Sequence, residues 1–194
     1  MLTITKRQDK RIVSAFTHML ADIPNGVTVS EKDFTQPFLW EGTPVGMDAS
    51  GLYHIIKTAE VAKVVGSSDT VITVKKGHNF KVGDNVFAVV GGKCYTIESI
   101  ATNETDPEME DITVGTTLGV AIAAGGVIYQ GGETGASKAA FKYEPRALVG
   151  EHYDVDQLTN HFVNAWTIGQ IREKNIKAPI GPAIKSVMKG IIFF

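Results

Sequence analysis

His78-Asn-Phe-Lys-Val-Gly-Asp-Asn-Val-Phe-Ala-Val-Val lies at the centre of a segment, Val71 to Gln130, in which apolar and polar residues alternate through four short runs separated by Gly, Asn, Asp and Lys turns. A period of two places alternate side chains on opposite faces of a strand, so each run predicts a strand with one buried face. The series describes a small antiparallel β-module with no helical layer on which to mount a cofactor. Within it, Asn85 to Val90 and Lys93 to Ile100 flank Gly91-Gly92, a pair that can adopt the positive φ of a tight turn, and they predict a β-hairpin. Val61 to Val65, Thr70 to Lys75 and Asp111 to Val114 read as further strands. Ala121 to Gln130 reads as a β-stretch or an edge strand bulged at Gly125-Gly126.

Outward from this centre the pattern changes. Between Arg11 and Ile23 the apolar residues Ile12, Ala15, Phe16, Met19, Leu20 and Ile23 recur at three- and four-residue steps, which predicts an amphipathic helix ending before Pro24-Asn25-Gly26. Its stripe either packs on its own core or docks as an arm on a neighbouring subunit. Phe38 to Ile56 alternates turn residues with short apolar pairs, and Pro44 suits a sheet edge. Gly131-Gly-Glu-Thr-Gly-Ala-Ser-Lys-Ala-Ala has the composition of a linker. The expected organisation is an N-terminal helix or arm (1–37), a central β-module (38–130), a linker (131–140) and a C-terminal segment (141–194) of α+β or β character. The fold class is mainly β, with the module a small antiparallel barrel or sandwich. The chain closes on Ile191-Ile192-Phe193-Phe194, which must be buried in its own sheet or in a partner.

A chain of 194 residues with 43% hydrophobic and 21% charged residues can bury a full core without disulfides. Its formal charge of −2 provides no positive field for a phosphate backbone, so nucleic acid is not an expected partner. The single cysteine, Cys94, falls inside an alternating run and reads as a packing residue. No long apolar stretch follows the charged N-terminus, so neither a secretory signal nor a membrane span is expected.

Residues with chemical potential do not assemble into a catalytic set. Gly131 to Lys138 lacks the spacing of a phosphate loop, and no nucleophile elbow occurs. His152, Asp154, Asp156 and His161 could meet a divalent ion but read better as a polar loop entering a strand. Glu104, Asp106, Glu108, Glu110 and Asp111 crowd one loop without the spacing of a calcium hand, and a solvated hairpin tip is the better reading. No catalytic, cofactor or metal residues are assigned, and no enzymatic activity is expected.

Phe80-Lys-Val-Gly-Asp-Asn-Val, Tyr95-Thr-Ile-Glu-Ser-Ile, Asp111-Ile-Thr-Val and Ala121-Ile-Ala-Ala-Gly-Gly-Val-Ile-Tyr, preceded by Trp40-Glu-Gly-Thr-Pro-Val-Gly-Met-Asp, resemble the head decoration and head fibre proteins of tailed phages and prophages. The resemblance covers about the central half of the chain. It implies a virion protein made in the bacterial host cytoplasm and mounted on the capsid exterior. Its partners would be the major capsid protein lattice and copies of itself, commonly as a homotrimer, with no membrane involved. The expected interface residues are Phe38, Leu39 and Trp40 with Ile191, Ile192, Phe193 and Phe194, because aromatic and aliphatic anchors dominate interfaces. Trp166 is expected in the core. The competing expectation is a carbohydrate- or receptor-binding module of a phage tail or cell surface, with Trp40, Tyr53 or Tyr129 as stacking platforms.

Overall fold

The computed structural model describes residues 13–194 and is mainly β. The central alternation forms six strands: β6 (Thr58–Glu60), β7 (Val71–Lys75), β8 (Asn85–Phe87), β9 (Cys94–Thr102), β10 (Met109–Val114) and β11 (Val127–Gly131). They pair antiparallel in the order β6-β11-β8-β9-β10-β7. The sheet curls until its ends meet, through the Val61–Val74 bridge and the Ala62 N–H to Thr73 C=O bond of 2.8 Å. Curling removes exposed edges and turns one face of every strand inward. Ile72, Val74, Val86, Ile97, Ile112 and Ile128 fill that interior, the inward half of the alternation read from the sequence.

The hairpin joins β8 to β9, with Asn85 opposite Thr96, Val86 opposite Tyr95 and Phe87 opposite Cys94. Its connection runs over residues 88–93, longer than a two-residue turn, and of the two central glycines only Gly91 takes positive φ, at 78°. The stretch expected as a linker explains the difference. Gly91 N–H donates to Ala139 C=O, Ala139 N–H donates to Gly92 C=O, and Cys94 and Gly135 exchange both backbone bonds. Residues 131–141 therefore lie along the hairpin and bury Ala139 against it. The turn keeps one bond of its own, from Gly92 N–H to Val89 C=O, and gives its other polar groups to this neighbour.

A second sheet is drawn from both ends of the chain. Its strands are β1 (Phe16–Asp22), β2 (Val27–Val29), β4 (Pro44–Met47), β5 (Tyr53–Ile55), β12 (Ala147–Val149), β14 (His161–Val163), β15 (Ala165–Ile171) and β16 (Ile191–Phe193), with a separate pair formed by β3 (Phe38–Leu39) and β13 (Tyr153–Asp154). The order is β1-β15-β12-β4-β5-β2-β14, and β16 adds parallel to β15. Pro44 is the first residue of an interior strand and not an edge residue: it lies opposite Leu148, and its carbonyl accepts from Ile56 N–H. A proline can hold that position because it need supply no donor there.

Among the described residues the expected N-terminal helix is not formed. Ala15 to Ile23 of the expected helix belong to or flank β1, while Arg11 and Ile12 lie outside the described residues. A single short amphipathic helix gains little stability in water, whereas β15 presents a ladder of backbone groups to an extended chain. Pairing with β15 takes three register shifts, and it buries Ala15 and Phe16 while leaving Met19 and Leu20 exposed, so the helical stripe is not used as one face. The only α-helix among the described residues is α1 (Pro182–Val187), near the other end of the chain. Trp166, half-buried in β15 opposite Leu148, packs against the core as expected.

Candidate functional site

Where the two sheets meet, the chain runs directly from β5 to β6 through Ile56 and Lys57, and a lysine stands inside an apolar run. Lys57 is buried, and its Nζ donates to Asp84 Oδ2 at 2.7 Å. Asp84 also accepts from Lys81 N–H (2.8 Å) and from Gln130 Nε2 (3.0 Å), so one carboxylate gathers the β5–β6 connection, a turn and strand β11 of the curled sheet. Buried charges persist only when paired and hydrogen-bonded in this way.

His54 on β5 occupies a second polar position beside the first. Its Nδ1 lies 2.8 Å from Asp33 Oδ2 and its Nε2 lies 3.4 Å from Asp48 Oδ2, while the Tyr143 ring stacks on its face with centroids 3.9 Å apart and planes 6° from parallel. Asp33 belongs to the 3₁₀ turn Glu31–Asp33. Burial raises its carboxyl above the usual range, against the lowering pull of His54 and Lys57. Asp48 is held low by hydrogen bonds, first from the Ser50 hydroxyl. Burial, reinforced by the carboxylates of Asp33, Asp48 and Asp84, raises the Tyr143 phenol. The carboxylates of Asp33, Asp48 and Asp84, the His54 ring and the Lys57 amine each have a protein partner, and the arrangement joins elements to one another.

None of these junction residues stands out in the sequence as a site. The legible signals are Lys57 within Ile-Ile-Lys-Thr-Ala and the Asx-turn chemistry of Asp48-Ala-Ser-Gly, since a charge embedded in apolar residues must find a partner. Asp33 and Asp84, distant in sequence, give no local hint.

The sequence-predicted interface residues divide by exposure. Leu39 and Ile191 are buried in the protomer's own core, while Phe38, Ile192 and Phe194 are 39%, 57% and 58% exposed, and Trp40 and Phe193 are half-buried. Ile192 sits opposite Gln170 on β15, on the face that also carries exposed Ile168. Phe194 continues the ladder through its N–H to Ile171 C=O bond, and exposed Leu20 lies at a register shift of β1 nearby in the same ribbon. Phe38, Trp40 and His152 form a second cluster, with Trp40 and His152 stacked at 4.5 Å. Tyr129 cannot serve as a stacking platform, because it is buried against Phe87 and Phe141, and Tyr53 is half-buried against the core of the second sheet.

The other chemical candidates resolve into local contacts. His152 approaches Asp154 at 3.8 Å, and His161 approaches Asp156 at 3.6 Å, as two separate pairs. Among the described residues no three His, Cys, Asp or Glu side chains gather as metal ligands. Of the five acidic residues expected in one loop, Glu104, Asp106 and Glu108 lie in the connection between β9 and β10, where Asn103 Oδ1 accepts from Thr105 and Asp106 N–H, while Glu110 and Asp111 lie on β10, Asp111 accepting from Asn103 and Thr73. Cys94 is buried beside Phe87, and burial raises its thiol.

No family model, curated protein or solved structure matches this chain. Two further features complete its surface. A cleft of about 470 Å³ opens between the hairpin turn, the Val120–Ala123 loop and α1, lined by aliphatic side chains such as Val89, Val90, Ile122 and Ala183. No helix among the described residues is long and apolar enough to cross a membrane.

Proposed function

We propose that this chain is a non-enzymatic structural protein of a tailed-phage virion, a head decoration or head fibre protein that binds the outer capsid lattice and stabilises it. The reading rests on the resemblance of the central segment, and one observation supports it most: Ile168, Ile192 and Phe194 leave apolar area exposed along the β15–β16 pair. Exposed apolar area clustered on a fixed scaffold is how interfaces are anchored, and covering it against a shell supplies the driving force at roughly 25 cal/mol per Å² before association costs. Copies act as a homotrimer at local symmetry axes, on virions assembled in the bacterial cytoplasm. The small module of this reading is the curled six-stranded sheet; the two-ended second sheet supplies attachment.

Light scattering of the purified protein and saturable binding to heads that lack it test the proposal, with head melting as the functional readout. The Ile192→Asp/Phe194→Asp variant, altered only at exposed positions, is expected to stay folded and lose binding. A parent protein that is monomeric and leaves head melting unchanged would refute the assignment.

The aromatic cluster of Phe38, Trp40 and His152, in which Phe38 is exposed, favours a second reading, a carbohydrate-binding or receptor-binding module, since aromatic rings stack on sugars. Glycan-array binding abolished by Trp40→Ala would select it over the first.

A further inference from the structure

We propose that His78 is an acid-sensitive latch between the two sheets, holding the turn that grips Thr35 while its imidazole is neutral and releasing it on protonation. The geometry specifies the tautomer. His78 Nδ1 accepts from Phe80 N–H at 3.2 Å, so that nitrogen carries no proton, and Nε2–H is left to face Glu110 Oε2, 3.0 Å away. The carboxylate lies off the N–H axis, so the backbone bond is the better made of the two. A second proton can enter only at Nδ1, where it would confront Phe80 N–H as donor against donor.

The turn that would be disturbed is the one that reaches across. Thr35 N–H donates to Asn79 Oδ1 at 2.9 Å, Thr35 Oγ1 donates to His78 C=O at 3.1 Å, and Lys81 Nζ donates to Lys32 C=O at 2.7 Å. Thr35 directly follows Phe34, which is fully buried in the core of the second sheet, so the strut 30–35 transmits the event to that sheet. The charged groups around the ring are Glu110 from β10, Lys57 from the β5–β6 connection and Lys177 across a small cavity. Burial lowers the His78 pKa, Glu110 opposes this and Lys57 adds to it. A depressed folded pKa means that the stabilisation is complete above the ordinary imidazole value of 6.5 and is lost as pH falls through the lower folded value.

Native-state hydrogen exchange at the Thr35 and Phe80 amides, corrected for intrinsic exchange, tests the latch from about pH 7.5 to about pH 4.5. Both amides are expected to lose protection together by roughly five- to tenfold, the equivalent of one hydrogen bond. In His78→Asn the side-chain oxygen can still accept from Phe80 N–H but cannot titrate, and protection should stay flat. A parent protein with flat protection, or an Asn variant that falls in step with the parent, would overturn the proposal. Independently of any variant, long-range ¹H–¹⁵N spectra of the parent near neutrality should show the proton on Nε2; a proton on Nδ1 would refute it.

Discussion

Lys57→Met removes the positive member of the buried junction pair while keeping most of the side chain's volume. Lys57 is 4% exposed and the Asp84 side chain 14%, so the carboxylate left behind has little access to water. Breaking a buried pair from one side costs about 3 to 5 kcal/mol, because the remaining charge is uncompensated. Asp84 retains its bonds from Lys81 N–H and Gln130 Nε2, which places the loss at the lower end, about 3 kcal/mol. For a chain of this length that corresponds to a fall of about 6 to 12 °C in Tm. Urea unfolding followed by tryptophan fluorescence should show a lower midpoint with an unchanged m-value. Adding Asp84→Asn removes the orphaned charge while keeping an acceptor, so the double variant should regain part of the loss. The reasoning fails if Lys57→Met costs under about 1 kcal/mol, or if the double variant is no more stable than the single one.

Gly131→Ala would place a methyl carbon well inside contact distance of Cys94 Sγ, in a core that cannot shift freely, and should destabilise by about 1 to 3 kcal/mol in the same unfolding assay. Cys94 itself should react with a thiol reagent only as fast as the protein opens, since it is fully buried and its thiol is raised by burial; labelling at the rate of a free thiol in native protein would contradict this placement. Asp33 supplies a pH dependence opposite in sign to that of His78. Its folded pKa is raised, so its contribution is complete below the ordinary 3.8 and is lost as pH rises through the folded value. Asp33→Asn should therefore flatten the stability profile on the acid side of neutrality, and an unchanged slope there would count against the assignment.

The β character of the chain was legible where burial follows a local period. Ile72, Val74, Val86, Ile112 and Ile128 are buried at the inward positions of their strands, and the hairpin forms between the arms that the alternation marks. The reading failed where two periods compete. Ala15, Phe16, Met19, Leu20 and Ile23 satisfy a helical spacing, yet the outcome depended on β15, some 150 residues away, whose open ladder no local window reveals. The stretch 131–140 is small and polar enough for a linker, and only its bonds to the hairpin show that it is part of the body. Of the expected interface set, hydrophobicity singled out the residues but could not separate Ile191, which faces inward from β16, from Ile192, which faces outward.

By itself the sequence determined the class of fold, the hairpin and the packing role of Cys94, because each follows from alternation, turn chemistry or the solitude of one residue. Tertiary structure alone decided the union of both chain ends in one sheet, and the meeting of Asp33, His54, Lys57 and Asp84 at the junction. Pairing between distant strands and the partners of buried charges depend on contacts made across the chain, and no short-range pattern encodes them.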